Sequence, residues 1–174
     1  MVVNERRIDR VLDPAFLQGL ETLSLEELRG RRDDCMAERE YLSLLRRLVQ
    51  GRLEILRAEQ EGRRGGGDVA PVLDRLPEIL ATDEGGDARG EAVRVGLPDD
   101  EMALARRRVE RLVADAGVSD PSTLDDVPLS EAAERFSDEE RELSASRHAV
   151  ITVLDQVLDE LKRRYKDDPS LALT

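Results

Sequence analysis

Tryptophan is absent from this chain, and aromatic residues make up only 2% of its 174 positions. The large side chains that fill a thick globular core are therefore missing. A single cysteine, Cys35, excludes an internal disulfide, and with only one histidine in the chain no Cys/His zinc cluster can be built. Cys35 reads as a small buried apolar residue in a reducing cytoplasm. No stretch of about 20 apolar residues occurs and no apolar run follows the first residues, so neither a membrane span nor an export signal is expected. Catalytic signatures are lacking too. "RRGGGD" has no Lys-Ser/Thr of a phosphate loop, His148 has no nearby cysteine, and no paired acid–base constellation or metal spacing is seen. The chain does not read as an enzyme, and no metal is expected.

Positive charge is also in short supply. The chain has 27 Lys and Arg against 39 Asp and Glu, a net charge of −12. That balance disfavours direct DNA binding, which depends on cationic contacts to phosphate. It favours a basic protein partner through complementary fields. Proteins that bind nucleic acid carry such basic surfaces, and an acidic chain can compete for them.

What the chain does have is charge and helix formers. Charged residues are 38%, and Ala, Leu, Arg and Glu dominate, the profile of long helices and coiled coils. Residues 1–22 hold a short apolar docking helix starting at Asp13-Pro14, with Ala15, Phe16, Leu17 and Leu20 on its face. Its target is either a partner or the protein's own long helices. Residues 23–61 read as a long helix. Ser24 and Glu27 form its capping box, and Gly62 with "RRGGG" ends it. Leu28, Cys35, Leu42, Val49 and Leu56 recur at heptad spacing, and Leu25, Arg32, Arg39, Arg46 and Leu53 take the alternate seam positions. Gly30 and Gly51 weaken this helix by roughly 1 kcal/mol each relative to Ala. Residues 62–98 are Gly-rich and read as a flexible linker, with a short turn or helix at "VLDRLPEIL". Residues 99–128 hold a shorter helix ending near Gly117, then a loop. In it, Arg106-Arg107-Arg108 reads as a run bridged to neighbouring carboxylates. Residues 129–168 read as the second long helix, with Ser130 or Ser137 as its cap. Its seam is Phe136, Glu140, Leu143, Arg147, Val150, Leu154, Val157 and Leu161. The expected fold is all-α: an elongated antiparallel coiled-coil helical hairpin with a short N-terminal helix and a flexible linker. Parallel pairing is also within the linker's reach.

One pattern repeats inside the two long helices. "EYLSLLRRLVQGRLEIL" carries Ser43, Arg46, Gln50 and Glu54, and "ERELSASRHAVITVLDQVL" carries Glu140, Ser144, Arg147 and Asp155. Spacings of three and four place each set on one helical stripe. Arg46 and Arg147 stand where a heptad expects an apolar knob, so each needs a partner. One reading is an Arg–carboxylate pair that fixes register in a structural scaffold. The other is a ligand site in two equivalent halves. Arginine stacks on bases and forks onto phosphate or the guanine O6/N7 edge, while a carboxylate accepts from guanine N1–H and N2–H₂. Two copies suit a ligand with two guanines.

This stripe resembles that of the RsiG family, actinobacterial anti-sigma factors controlled by cyclic di-GMP. Their pattern is E-x3-S-x2-R-x3-Q-x3-D, present twice in two-motif members. The second copy here keeps Glu140, Ser144, Arg147 and Asp155 but has Ile151 for Gln. The first keeps Ser43, Arg46 and Gln50, with Glu54 for Asp. Its first position is Arg39, flanked by Glu38 and Glu40, and we assign Glu40 as the acidic member. The resemblance implies that these residues clamp an intercalated dimer of cyclic di-GMP. It also implies that the loaded cytoplasmic protein holds a WhiG-type sigma factor, related to flagellar sigma factors, away from RNA polymerase and so silences sporulation genes.

Overall fold

The computed structural model describes residues 6–65 and 97–173. The expected linker at 62–98 lies outside the described residues for most of its length, as does "VLDRLPEIL". Four α-helices are present among the described residues: α1 (Arg7–Leu12), α2 (Leu25–Gly65), α3 (Asp99–Asp115) and α4 (Asp126–Asp167). No strand occurs among them. The described residues are thus all-α, as expected, with α2 and α4 as two long arms. Neither arm, nor any other helix among the described residues, is long and apolar enough to cross a membrane.

Each helix boundary has a local cause. At the start of α2, Ser24 N–H donates to Glu27 Oε2 at 2.7 Å and Glu27 N–H donates to Ser24 Oγ at 3.2 Å, a complete capping box. The helix then runs through Gly62 to Gly65. Gly117 ends α3 at φ 67°, with its N–H on Ala114 O and the Val118 N–H on Val113 O. This Schellman arrangement needs the left-handed conformation that glycine adopts at no steric cost. α4 begins at Asp126, ahead of both serines expected to cap it. Arg63 at the end of α2 binds Glu59, Asp126 and the carbonyl of Pro121, fastening the loop before α4.

The residues fall into two compact units, one of Met1–Leu42 with Ala145–Thr174, the other of Ser43–Ser144. In the first, Leu28, Cys35 and Leu42 of α2 are buried, as are Val150, Leu154, Val157 and Leu161 of α4. Burial pushes the Cys35 thiol up to about 12, so it is held protonated and inert. Val11 of α1 and Phe16 of the following 3-10 turn (Pro14–Leu17) are also buried in this unit. Arg7 pairs with Glu38 at 2.8 Å, and Arg31 donates to Phe16 O while lying over its ring. The N-terminal segment therefore packs on the protein's own long helix. Its start at Asp13-Pro14 is a 3-10 turn, with α1 lying ahead of it.

In the second unit, Leu45, Val49, Leu53 and Leu56 of α2 are buried together with Leu129, Phe136 and Leu143 of α4. Arg46 meets Glu140 and Arg63 meets Asp126, so the two helices run antiparallel here. α3 lies along α4, tied by Arg108 to Glu139 at 2.8 Å and by Arg135 to Asp115 O at 3.1 Å. Only Arg108 of the triple-arginine run makes such a bridge among the described residues. Arg106 and Arg107 are exposed, contrary to the bridging expected for the run.

The α2 seam corrects one expectation. Leu28, Cys35, Leu42, Val49 and Leu56 are buried as the heptad requires, but Leu45 is at 0% exposure where Arg46 was the expected knob. Glu38 is buried in place of Arg39. The heptad row itself stays buried along α2, so the choice lies in the alternate position: steps of three and of four from Leu42 both reach the same side of a helix, and the apolar Leu45 takes the core position while Arg46 flanks it.

Two predictions follow from these contacts. A Cβ at Gly30 or Gly51 would meet no heavy atom within 4 Å. Gly30→Ala with Gly51→Ala should stabilise α2 by about 0.5–1 kcal/mol per site, read as a rise of several degrees in Tm by circular dichroism. Near the end of α4, Arg163 and Arg164 donate to Glu160 and hold its carboxyl down to about 2, from an ordinary value of 4.5. Arg164 also donates to the carbonyls of Leu20 and Leu23, closing the turn before α2. Because the folded value is depressed, Glu160's contribution is full above about pH 4.5 and is lost as pH falls toward 2. Glu160→Gln should lower Tm at pH 7, and its gap from the wild type should close across that acid window.

Candidate functional site

The repeated polar stripe falls on both units. Within the second unit, members of both copies converge. Glu140 Oε1 accepts from Arg46 Nη1 at 3.2 Å, from Gln50 Nε2 at 3.2 Å and from Ser144 Oγ at 3.0 Å. The helical geometry dictates this. Arg46 and Gln50 are one turn apart on α2 and reach the same point, while Ser144 reaches back one turn along α4. Three donors on one carboxylate oxygen make a charge-balanced, hydrogen-bonded node. Arg46 and Glu140 side chains are 23% and 21% exposed, so the pair is only partly shielded from water.

Ser43 is half-buried one turn before Arg46, and it too is engaged by a neighbouring group. Glu54, one turn beyond Gln50, is half-buried, and its Oε2 is fully covered with no hydrogen-bond partner among the described residues. A buried carboxylate oxygen without a donor is costly. It is an acceptor to which an N–H of a guanine-type ligand is chemically matched, and Arg46, Gln50 and Ser144 supply the donors such a ligand's phosphates need. The residues present therefore fit a guanine nucleotide.

The other stripe members belong to the first unit. Glu40 accepts from Arg39 at 2.9 Å and keeps 36% side-chain exposure. Glu38, the alternative acidic member, is 4% exposed and held by Arg7. Of the two carboxylates flanking Arg39, Glu40 alone remains accessible. Arg147 is half-buried and engaged, Ile151 is half-buried, and Asp155 is exposed. The second copy's stripe thus ends in a solvent-facing carboxylate, whereas the first ends in a covered one. His148 is exposed beside Arg147. Among the described residues no group of three or more His, Cys, Asp or Glu could hold a metal ion.

Sequence reasoning missed two charged anchors. The Arg7–Glu38 pair and the Arg164 contacts to Leu20 and Leu23 each join residues far apart in the chain. No local spacing signals either of them. What could have been noticed is that Glu38 sits between Cys35 and Leu42 on the seam, where a carboxylate has to find a cation.

The Arg46–Glu140 pair is open to measurement. Arg46→Ala or Glu140→Ala leaves donors or an acceptor partly unmatched and should cost about 1–2 kcal/mol. The coupling energy from the double-mutant cycle, by urea unfolding, should be about 0.5–1 kcal/mol because the pair is part-exposed.

No curated protein matches the chain. Residues 14–80 match the family model described as RsiG-like, a stretch that includes Glu40, Ser43, Arg46, Gln50 and Glu54. Over that stretch, which takes in all of α2, the chain is similar to RsiG-like proteins.

Proposed function

We propose that this protein is a cyclic di-GMP-dependent anti-sigma factor that sequesters a WhiG-type sigma factor and so inhibits transcription of sporulation genes. The RsiG-like match supports the regulatory role and a sigma factor as partner. The observation that carries the nucleotide dependence is the meeting of Arg46 and Gln50 with Glu140 and Ser144 at a single carboxylate oxygen. Members of both stripe copies thereby form one polar node beside an apolar seam.

In this reading Arg46 and Arg147 hold phosphates and stack on guanine, with Ser43, Ser144 and Gln50 adding hydrogen bonds. Glu54 and Asp155 accept from guanine N1–H and N2–H₂, and Glu40 and Glu140 orient the cations. Bound nucleotide would add negative charge beside Arg46 and beside Arg147 and would stiffen the helices that carry them. The net charge of −12 complements the basic surface a sigma factor presents to DNA. Any ligand that tightens the hold on sigma must itself bind more tightly when sigma is present.

A structural scaffold is the competing reading, and one observation favours it: Arg46 already has a carboxylate partner across the coil in Glu140. Calorimetric titration with cyclic di-GMP, alone and with the sigma factor, separates the two. GTP and cyclic di-AMP serve as controls. The proposed site binds cyclic di-GMP selectively, and Arg46→Leu with Arg147→Leu abolishes binding while far-UV circular dichroism is kept. A scaffold gives no heat in either arrangement, and the double variant is neutral or more stable.

A further inference from the structure

α3 shows two faces. Ala105 and Val109 are buried toward the rest of its unit. On the opposite side Asp100, Leu104, Arg107, Arg111 and Ala114 are all exposed, and Leu104 keeps 47% of its surface in water. Their spacings of four, three, four and three residues make one straight stripe, the rhythm of a coiled-coil seam. A shallow groove of about 530 Å³ runs along it, lined by Leu104, Arg107, Glu110, Arg111 and Ala114. Among the described residues no ion-pair partner is present for Asp100, Arg107 or Arg111, although the chain carries an excess of carboxylates.

The charge order along this stripe is what identifies its occupant. It runs acidic at the N-terminal end, apolar in the middle, basic toward the C-terminal end. Such an order is complementary to itself when reversed. An antiparallel copy of α3, centred between Ala105 and Arg106, sets Asp100 against Arg111 of the second copy. Leu104 then lies against the aliphatic stem of the second copy's Arg107. Two-fold symmetry repeats both contacts, so one register satisfies both charges and covers the exposed leucine. A purely acidic partner would match the arginines but would face Asp100 with like charge.

We propose that the outer stripe of α3 is a self-association surface through which two copies of this chain pair antiparallel. This inference is independent of the nucleotide reading, since none of its residues belongs to the stripe of Arg46 and Arg147. One pair of 17-residue helices buries less than the roughly 1,200 Å² of a standard stable interface. The dimer is therefore weak and concentration-dependent, further opposed by the net charge of −12 on each copy.

Sedimentation equilibrium of the full-length protein over about ten to several hundred micromolar tests this. The wild type should show a monomer–dimer equilibrium. Asp100→Arg alone and Arg111→Asp alone should each weaken it at least about tenfold, because symmetry turns two attractive pairs into two repulsive ones. The swap Asp100→Arg with Arg111→Asp should restore the wild-type constant to within about threefold. These residues are exposed, so helicity by circular dichroism should stay unchanged. A wild type that stays monomeric throughout overturns the proposal and leaves the stripe to a different protein. A dimer indifferent to both single reversals, or one the swap fails to restore, overturns it equally.

Discussion

Scarcity of large side chains governs this molecule. With no tryptophan and two phenylalanines, the chain closes its helices with single rows of Leu and Val. A row one residue wide tolerates few interruptions. Each polar group that enters it must be matched by a partner on the facing element. The Arg46–Glu140 contact and the Arg7–Glu38 contact are both answers to that requirement. Phe16 and Phe136, the two large apolar rings available, are both buried, one in each unit.

The helical layout was legible because its signals are local. The Ser24–Glu27 capping box, the glycine after α3 and the three–four rhythm of α4 each operate within two turns. The substitution of Leu45 for Arg46 in the α2 core was not legible, since steps of three and of four residues from Leu42 both reach the buried side and the heptad alone does not choose between them. α1 was hidden because six residues carry no periodicity to read. Arg7, Arg31 and Arg164 act on groups distant in sequence, and no spacing within a window can anticipate them.

The stripe itself was readable as a stripe, but its arrangement was not. Sequence placed Glu140, Arg46 and Gln50 on two helices without fixing which atoms meet. Their convergence on Oε1 depends on the antiparallel register, which the packing of Val49, Leu53 and Leu143 sets. The two copies are also unequal in ways the bare pattern understates. Glu54 is covered and Asp155 is not, while Arg39 occupies the place that Glu140 fills in the other copy. A ligand with two identical halves would meet two different environments, one richer in cation at its first position.

The division of the chain into units bears on how it comes to fold. Ser43–Ser144 is continuous in sequence, whereas the other unit joins the first 42 residues to those from Ala145 onward. During synthesis the continuous unit has all its parts once α4 is about half emerged. The N-terminal turns and the first half of α2 must wait for Tyr165 and Arg164, which are made more than a hundred residues later. Until then Arg29 lacks Tyr165, and the carbonyls of Leu20 and Leu23 lack Arg164. The nascent chain thus holds its N-terminal segment without these contacts longest, and that interval is when a chaperone or a neighbouring nascent chain has access to it.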